Sequence, residues 1–249
     1  MAPSDNRKSR PALPSIFCWT KFGTEAGEAT QSIFERKELE RKRNGGIFLW
    51  GIGNSIRPSI AALLRETDSP EVIFSPMKSP ASKKDTSPER LVLWSTAETY
   101  DGLDYKIPEH SLVTSRASAD HSRSAHFALV CESLQSISPK PDQGDTPPLC
   151  LDDLRNLRTG SILGASQVTS VVRCLNGNVP NESASLYPVA VRARLVYPYF
   201  VRLTGALPIP DSLRLDRVGS EVSLRAMDDL LEHRRSAVKS EVPQQLMLV

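Results

Sequence analysis

The chain has 249 residues, of which 39% are hydrophobic and 24% are charged, and its formal net charge is +2. This length and composition are typical of a globular protein with a substantial core. The small net charge excludes a global basic field of the kind that binds nucleic acid in bulk, so any electrostatic recognition has to come from a local patch.

The first 14 residues are polar, basic and proline-containing, and they predict a disordered arm at 1–14. No apolar segment of a secretory signal is present there, and no window approaches the length of an apolar membrane span. We therefore expect a cytoplasmic protein that does not bind membranes. No Cys or His pair has the spacing of zinc ligands, so we expect no metal. We also expect no cofactor. The four cysteines, Cys18, Cys131, Cys150 and Cys174, are expected to be reduced, buried thiols.

The first half of the chain predicts alternating strands and helices. An aromatic and apolar run at 15–22 predicts a strand, and the charged segment 26–43 predicts a surface helix that stops at Asn44-Gly45-Gly46. The continuous apolar run 46–53 is typical of a buried strand. Pro58 then fits the first turn of the next helix, where its missing N–H has no cost.

The second half predicts mainly strands, at 71–77, 90–99, 126–133, 166–174 and 187–205, with a short leucine-spaced helix at 151–160 and a final helix at 219–236. Because the later strands follow one another without helices, a doubly wound parallel sheet is disfavoured. We predict an α+β fold with a mixed or antiparallel, barrel-like sheet. The domain would span 15–205 with proline-rich loop insertions, followed by a C-terminal helical extension and tail at 206–249.

The turn after the apolar strand is a candidate binding site. Gly51-Ile52-Gly53 follows a strand and precedes a helix, but Ile56 stands where a dinucleotide fingerprint needs its third glycine. Two interpretations stay open. The backbone N–H groups of Gly53, Asn54 and Ser55 lie near a helix N-terminus and favour an anion, or the glycines only turn the chain and Asn54 and Ser55 cap the helix.

Tryptophans on the early strands form a second candidate. Trp19 and Trp50 could line a pocket with Lys21 nearby, although the core is the commoner place for a strand tryptophan. Ser166 and Gln167 lead into a later strand and are positioned to face a ligand.

The sequence VRARLVYPYFVRL places basic residues among aromatic ones. Arg192 and Arg194 share one face of a strand, and Tyr197, Tyr199 and Arg202 follow. Such a pattern offers phosphate neutralisation and stacking surfaces for unpaired bases, or simply a solvent-exposed strand face. No GxSxG or HExxH motif occurs, and no catalytic residue is predicted.

The order of these pieces resembles the PUA-like superfamily, and within it the EVE, ASCH and YTH-type domains. The resemblance spans Ser15 to Thr204 and depends on IFCWTKF, ERKELERKRNGGIFLWGIGNS, HFALVCES and SQVTSVV. It implies a small barrel-like sheet with helices at its mouth that binds RNA or a modified base in an aromatic-lined pocket. Trp19, Trp50, Asn54 and Ser55 would then line the pocket, and no catalytic residue is implied.

The leading hypothesis is therefore a binding module for nucleic acid or a modified nucleobase. An unpaired base would stack on Trp19 or Trp50, and Lys21, Arg192 and Arg194 would bind phosphates. Two alternatives stay open: an enzyme acting on a nucleotide or nucleoside, with the turn Gly51–Ile56 holding phosphate, and a protein–protein interaction module that uses the proline-rich loops.

Overall fold

The computed structural model describes residues 13–22, 30–53, 56–76, 90–117, 126–133, 136–137, 148–164, 168–175, 185–210 and 224–241. Within these ranges the elements in chain order are β1 (Ile16–Phe22), α1 (Thr30–Arg43), β2 (Ile47–Ile52), α2 (Arg57–Glu66), β3 (Glu71–Pro76), β4 (Arg90–Glu98), β5 (Asp104–Tyr105), β6 (Thr114–Ala117), β7 (His126–Glu132), β8 (Leu149–Cys150), a 3-10 turn (Leu151–Asp153), β9 (Leu154–Asn156), β10 (Thr169–Cys174), β11 (Leu186–Tyr187), β12 (Val191–Pro208) and α3 (Leu224–Glu241).

One large sheet dominates the described part of the chain. Its main strand order is β2-β7-β12-β3-β1-β10-β9, and β4 pairs with the far end of β12 and carries β5 and β6. Only the β1–β3 pair among these strands is parallel, so the sheet is mixed. The prediction of an α+β fold with a mixed sheet and a C-terminal helix is confirmed.

The predicted closure of the sheet into a barrel is wrong. The two end strands, β2 and β9, do not pair with each other in the described part of the chain, and the sheet stays open. Closure would require a long ladder between these ends, and β9 has only 3 residues. The helices α1 and α2 therefore cover one face of an open sheet.

Alternation along β1 builds two cores on opposite faces of the sheet. Cys18 and Phe22 enter the core that α1 and α2 cover, which we call the helix-side core. Phe17 and Trp19 enter a second core together with Leu149, which we call the opposite core. Successive side chains of a strand point to opposite faces, so this division follows directly from the sequence of β1.

The C-terminal helix belongs to the same packed body. Met227, Leu230 and Leu231 of α3 are buried against Leu93 of β4 and Leu112. Strand β12 runs on to Pro208, past the predicted domain boundary at 205.

The predicted helix at 151–160 is wrong. Only a 3-10 turn forms at its start, after which Asn156 pairs with Val172 as part of β9. The Asn156 side chain then accepts hydrogen bonds from the backbone N–H groups of Arg158 and Thr159, at 3.0 and 3.1 Å. The ladder with β10 and this asparagine turn satisfy the backbone groups that a helix would have paired internally.

Helix α1 is also more buried than the predicted surface helix. Its Glu38–Lys42 pair forms, with Nζ and Oε1 3.4 Å apart, and Gly45 ends the helix at a φ of 63° as expected. Glu40, however, is fully buried. Its carboxylate accepts hydrogen bonds from Lys37 Nζ at 2.8 Å and from the backbone N–H of Leu112 at 2.9 Å.

These contacts belong to what we call the buried ion cluster: Arg36, Lys37, Glu40 and Arg234. Arg36 and Lys37 each donate to the backbone carbonyl of Leu112 at 2.9 Å. Arg234 of α3 donates to the carbonyls of Pro108, Glu109 and Ser111. The segment 106–113 thus joins α1 to α3, and its backbone carbonyls replace the water that the buried cations have lost.

Candidate functional site

Trp19 is a core residue. Its side chain has no exposed surface, and its indole N–H donates to Ser75 Oγ at 3.0 Å. A buried tryptophan needs such a partner for its N–H, and β3 supplies it. In this arrangement no base can reach the Trp19 ring.

Lys21 lies on the same face of β1 as Trp19. It is 5% exposed, and its Nζ lies 5.4 Å from the centroid of the Trp19 ring and 5.5 Å from that of Tyr187. Burial lowers the pKa of Lys21. The ammonium group is therefore turned toward aromatic rings inside the protein, where a phosphate has no access to it.

Trp50 packs into the helix-side core, on the other face of the sheet from Trp19. Its ring is partly buried and contacts Phe22 and Phe74, with centroid distances of 6.2 and 4.9 Å. The cavity it lines with Lys37 has a volume of about 10 Å³, which is enough for a water-sized sphere and too small for a base. The structure therefore does not bring the two tryptophans into one pocket.

The three arginines predicted to bind nucleic acid, Arg192, Arg194 and Arg202, are each paired with a glutamate. Arg192 binds Glu71, Arg194 binds Glu132 and Arg202 binds Glu98, in each case between neighbouring strands. The hydrogen bond to Glu71 raises the pKa of Arg192. Cross-strand pairs of opposite charge stabilise a sheet modestly, and they leave less net charge for an anion.

A register shift in β12 separates these arginines. Before the shift, Val191, Ala193 and Leu195 point into the helix-side core, so Arg192 and Arg194 point away from it. The pairing with β7 shifts between Leu195 and Phe200, and Phe200 then points into that same core. Strand β12 advances five residues across this shift while β7 advances two. Arg202 consequently lies on the helix side, because an odd number of extra residues in a strand reverses the face of those that follow.

The two tyrosines of this stretch lie in the irregular part of β12. Tyr199 has a φ of 68° and packs against the helix-side core, and Tyr197 is 72% exposed. Their ring centroids are 6.1 Å apart. Gly53 follows β2 and is exposed, whereas the predicted site residues Asn54, Ser55, Ser166 and Gln167 lie outside the described residues.

A surface cleft with a volume of about 330 Å³ lies on the helix side, where β4, β7 and β12 meet the start of α2. We call it the Tyr100 cleft; it is lined by Arg57, Glu98, Thr99, Tyr100, Asp101, Gly102, Phe127, Phe200 and Arg202. Its volume is at the lower end of the range of roughly 300–1,000 Å³ found for ligand pockets. Of the residues predicted from the sequence, Arg202 lines this cleft.

The aromatic side of the cleft has a buried floor and one exposed ring. Phe127 and Phe200 are 3% and 5% exposed, whereas Tyr100 is 70% exposed. Tyr100 lies at the tip of the β4–β5 hairpin, where the N–H of Leu103 donates to Thr99 Oγ1 at 3.1 Å and Gly102 has a φ of 81°. The hairpin tip thus holds the Tyr100 ring at the rim of the cleft.

Arg57 forms the cationic side of the cleft. Its guanidinium carbon lies 5.2 Å from the centroid of the Tyr100 ring and 5.3 Å from that of Phe127. Among the described residues no carboxylate lies within ion-pair distance of Arg57. It occupies the first position of α2, next to Pro58, and the N-cap residue Ile56 provides no side-chain cap. The positive end of the α2 dipole therefore adds to the charge of Arg57.

Sequence reasoning missed Arg57 and Tyr100. A signal was present: the run Thr99-Tyr100-Asp101-Gly102 is typical of a hairpin turn, since Asp-Gly favours the φ values that tight turns need. A turn between two strands exposes its aromatic residue. The pairing of that residue with Arg57 comes only from the tertiary fold.

Three of the four cysteines lie in the core. Cys18, Cys131 and Cys150 are buried and form no disulfide, as predicted, whereas Cys174 was predicted to be buried and is partly exposed. Burial raises the pKa of Cys18 to about 12.

Within the described ranges no cluster of His, Cys, Asp and Glu has the make-up of a metal site. The helices found in those ranges are too short or too polar to span a membrane.

Comparison of the chain with protein-family models, with curated proteins and with solved structures gives no match in any of the three, so its function has to be inferred from the geometry of the Tyr100 cleft.

Proposed function

We propose that the protein binds single-stranded nucleic acid by taking one unpaired base into the Tyr100 cleft. The observation that supports this most is the exposed Tyr100 ring beside the Arg57 guanidinium, which has no carboxylate partner among the described residues. Aromatic rings and guanidinium planes are the surfaces on which proteins stack unpaired bases.

The charges around the cleft favour a phosphate on the α2 side. Arg57 and the start of α2 are positive there, whereas Arg202 is held by Glu98 on the other side. The chain as a whole has a formal net charge of only +2, so binding has to depend on this local patch. A base stacked at Tyr100 with its phosphate toward Arg57 uses both features.

The finer assignment to the PUA-like superfamily is also a proposal. The order of strand, charged helix, strand, glycine turn and helix in the first third of the chain supports it. The open sheet differs from the closed barrel that the resemblance implies. The base-binding role proposed here does not require barrel closure.

Replacing Tyr100 tests the binding site. We expect Tyr100→Ala to weaken the binding of fluorescein-labelled single-stranded RNA or DNA by roughly fivefold or more, because stacking contributes about 1–3 kcal/mol per base. Tyr197→Ala is the matched control, since Tyr197 is 72% exposed against 70% for Tyr100 and lies outside the cleft lining. Fluorescence anisotropy measures both affinities. Equal losses in the two variants would contradict the proposed site.

Arg57 is tested by the dependence of affinity on salt. One phosphate contact to a single strand contributes about 0.7 to the slope of log affinity against log salt concentration. Arg57→Gln should lower that slope by about this amount, and Arg65→Gln, at the other end of α2, should leave it unchanged. If free mononucleotides stabilised the protein against heat and oligonucleotides did not bind, the nucleotide-enzyme alternative would replace the proposal.

A further inference from the structure

The Tyr100 cleft contains carboxylate oxygens that no described residue uses. Glu98 accepts both hydrogen bonds from Arg202, from Nε and Nη2, on its Oε2 atom alone. Its Oε1 atom accepts none from the described residues, and neither does the carboxylate of the exposed Asp101. Both residues line the cleft. Unused acceptors therefore stand beside the stacking surface formed by Tyr100 and Arg57.

The same ion pair also has an unused donor. Arg202 bonds Glu98 through Nε and Nη2, and no described residue accepts a hydrogen bond from its Nη1. An ionised carboxylate only accepts hydrogen bonds and a guanidinium only donates them. A ligand edge that satisfies these groups must offer donors to Glu98 and Asp101 and an acceptor to Arg202.

Guanine is the base whose pairing edge has this composition. Its O6 is an acceptor, and the neighbouring N1–H and N2 amino group are two adjacent donors. Adenine and cytosine each present one amino donor next to a ring-nitrogen acceptor, and uracil presents one N–H between two carbonyls. A ring acceptor that faces a carboxylate is repelled. Glu98 and Asp101 would therefore weaken the binding of adenine, cytosine and uracil, and they would strengthen the binding of guanine.

We propose that the Tyr100 cleft selects guanine, with Glu98 and Asp101 accepting from N1–H and N2–H and Arg202 donating to O6. This inference rests on the proposed function, because it presumes that an unpaired base enters the cleft. Stacking on Tyr100 supplies affinity for any base, and the Glu98–Arg202 pair with Asp101 supplies the choice among them. The two contributions can therefore be separated by mutation.

The test uses a uridine-rich single strand that carries G, A, C, U or inosine at one central position. The intact chain should bind the G strand about tenfold more tightly than the A, C and U strands, since a good bidentate contact distinguishes bases by this order. Inosine keeps O6 and N1–H but lacks the N2 amino group, so its strand should bind with intermediate affinity. RNA and DNA versions of each strand show whether the sugar contributes.

The variants Glu98→Gln and Asp101→Asn should bind the G strand more weakly than the intact chain, because they weaken the acceptors for N1–H and N2–H. They should bind the A, C and U strands as tightly as the intact chain or more tightly, because the carboxylates that repel ring acceptors are gone. Glu66→Gln is the matched control, because Glu66 also pairs with an arginine, Arg173, on the surface and lies outside the cleft lining. It should keep the full preference. Thermal unfolding of each variant confirms that the fold is intact.

Each outcome has a separate meaning. Equal binding of all strands by the intact chain, or an unchanged preference in Glu98→Gln and Asp101→Asn, overturns guanine selection and leaves the proposed function standing. Absence of binding to every strand overturns both. A preference that falls equally in Glu66→Gln shows a general charge effect and also overturns the assignment.

Discussion

The buried ion cluster and the Tyr100 cleft are built from the same residue types, arginine and glutamate, yet they differ in how many of their polar atoms have partners. In the cluster, Glu40 is fully buried and its carboxylate bonds Arg36, Lys37 and the N–H of Leu112. In the cleft, Glu98 Oε1 and Arg202 Nη1 have no partner among the described residues. Charged groups whose hydrogen bonds are satisfied inside the protein hold its fold together, whereas charged groups with unused donors or acceptors at the surface are available to a ligand.

The energetics of the two regions should differ in the same way. Buried ions have lost their water, so removal of one partner leaves the others uncompensated, which is a large destabilisation. Exposed pairs such as Glu98–Arg202 remain in contact with solvent and contribute little to stability. Burial lowers the pKa of Arg234 in the cluster, which reflects the loss of water around its guanidinium.

Removal of the central carboxylate of each region gives the largest expected contrast. Glu40→Ala leaves Arg36 and Lys37 buried without an anion, and we expect a loss of about 3–5 kcal/mol in the free energy of unfolding. Glu98→Ala should cost no more than about 1 kcal/mol, because its pair is exposed. Urea unfolding followed by circular dichroism measures both. Similar losses in the two variants would show that the buried ion cluster contributes no more to stability than the Glu98–Arg202 pair does.

The second contrast uses arginines. Arg234→Met removes three hydrogen bonds to backbone carbonyls. We expect it to lower the free energy of unfolding by at least about 2 kcal/mol, the order found for a single hydrogen bond to a charged group. Because Arg234 ties α3 to 106–113, amide exchange should rise first in α3. Arg57→Gln should leave that exchange unchanged. If amide exchange in Arg234→Met is the same as in the intact chain, the apolar contacts of Met227 and Leu230 are sufficient to keep α3 packed without Arg234.

Local patterns in the sequence predicted most of the helices and strands. They failed where contacts with distant segments of the chain determine which face a residue lies on. Apolar runs and turn residues predicted the strands at 16–22, 47–52 and 126–132 and the helix that has Pro58 in its first turn. The opposed faces of Trp19 and Trp50 depend on which strands neighbour each other. No window of sequence contains that order.

The charged helix shows the same limit. Its residues Arg36, Lys37 and Glu40 have the pattern of a solvent-exposed face, and their partner Leu112 lies more than 70 residues further along the chain. In β12, the register shift after Leu195 reversed the face of Arg202 relative to Arg194. A strict period of two across that stretch would have placed these arginines together.

The smallest effect is expected at Glu38. Its side chain is 13% exposed, so its burial lies between that of Glu40 in the buried ion cluster and that of Glu98 in the Tyr100 cleft. Burial alone would raise the pKa of Glu38, but hydrogen bonds from Arg41 and from the Ile137 N–H outweigh it and hold the pKa below its ordinary 4.5. A carboxylate whose pKa is lower in the folded state stabilises the fold above the unfolded pKa, and this contribution is lost as the pH falls through the folded value. Glu38→Gln should therefore be about 1 kcal/mol less stable than the intact chain at neutral pH, with a gap that closes below about pH 4.5. Urea unfolding at a series of pH values measures this difference in stability, and Glu66→Gln is the control for the loss of one surface carboxylate. If the difference stays constant as the pH falls below 4.5, Glu38 contributes to stability by packing alone.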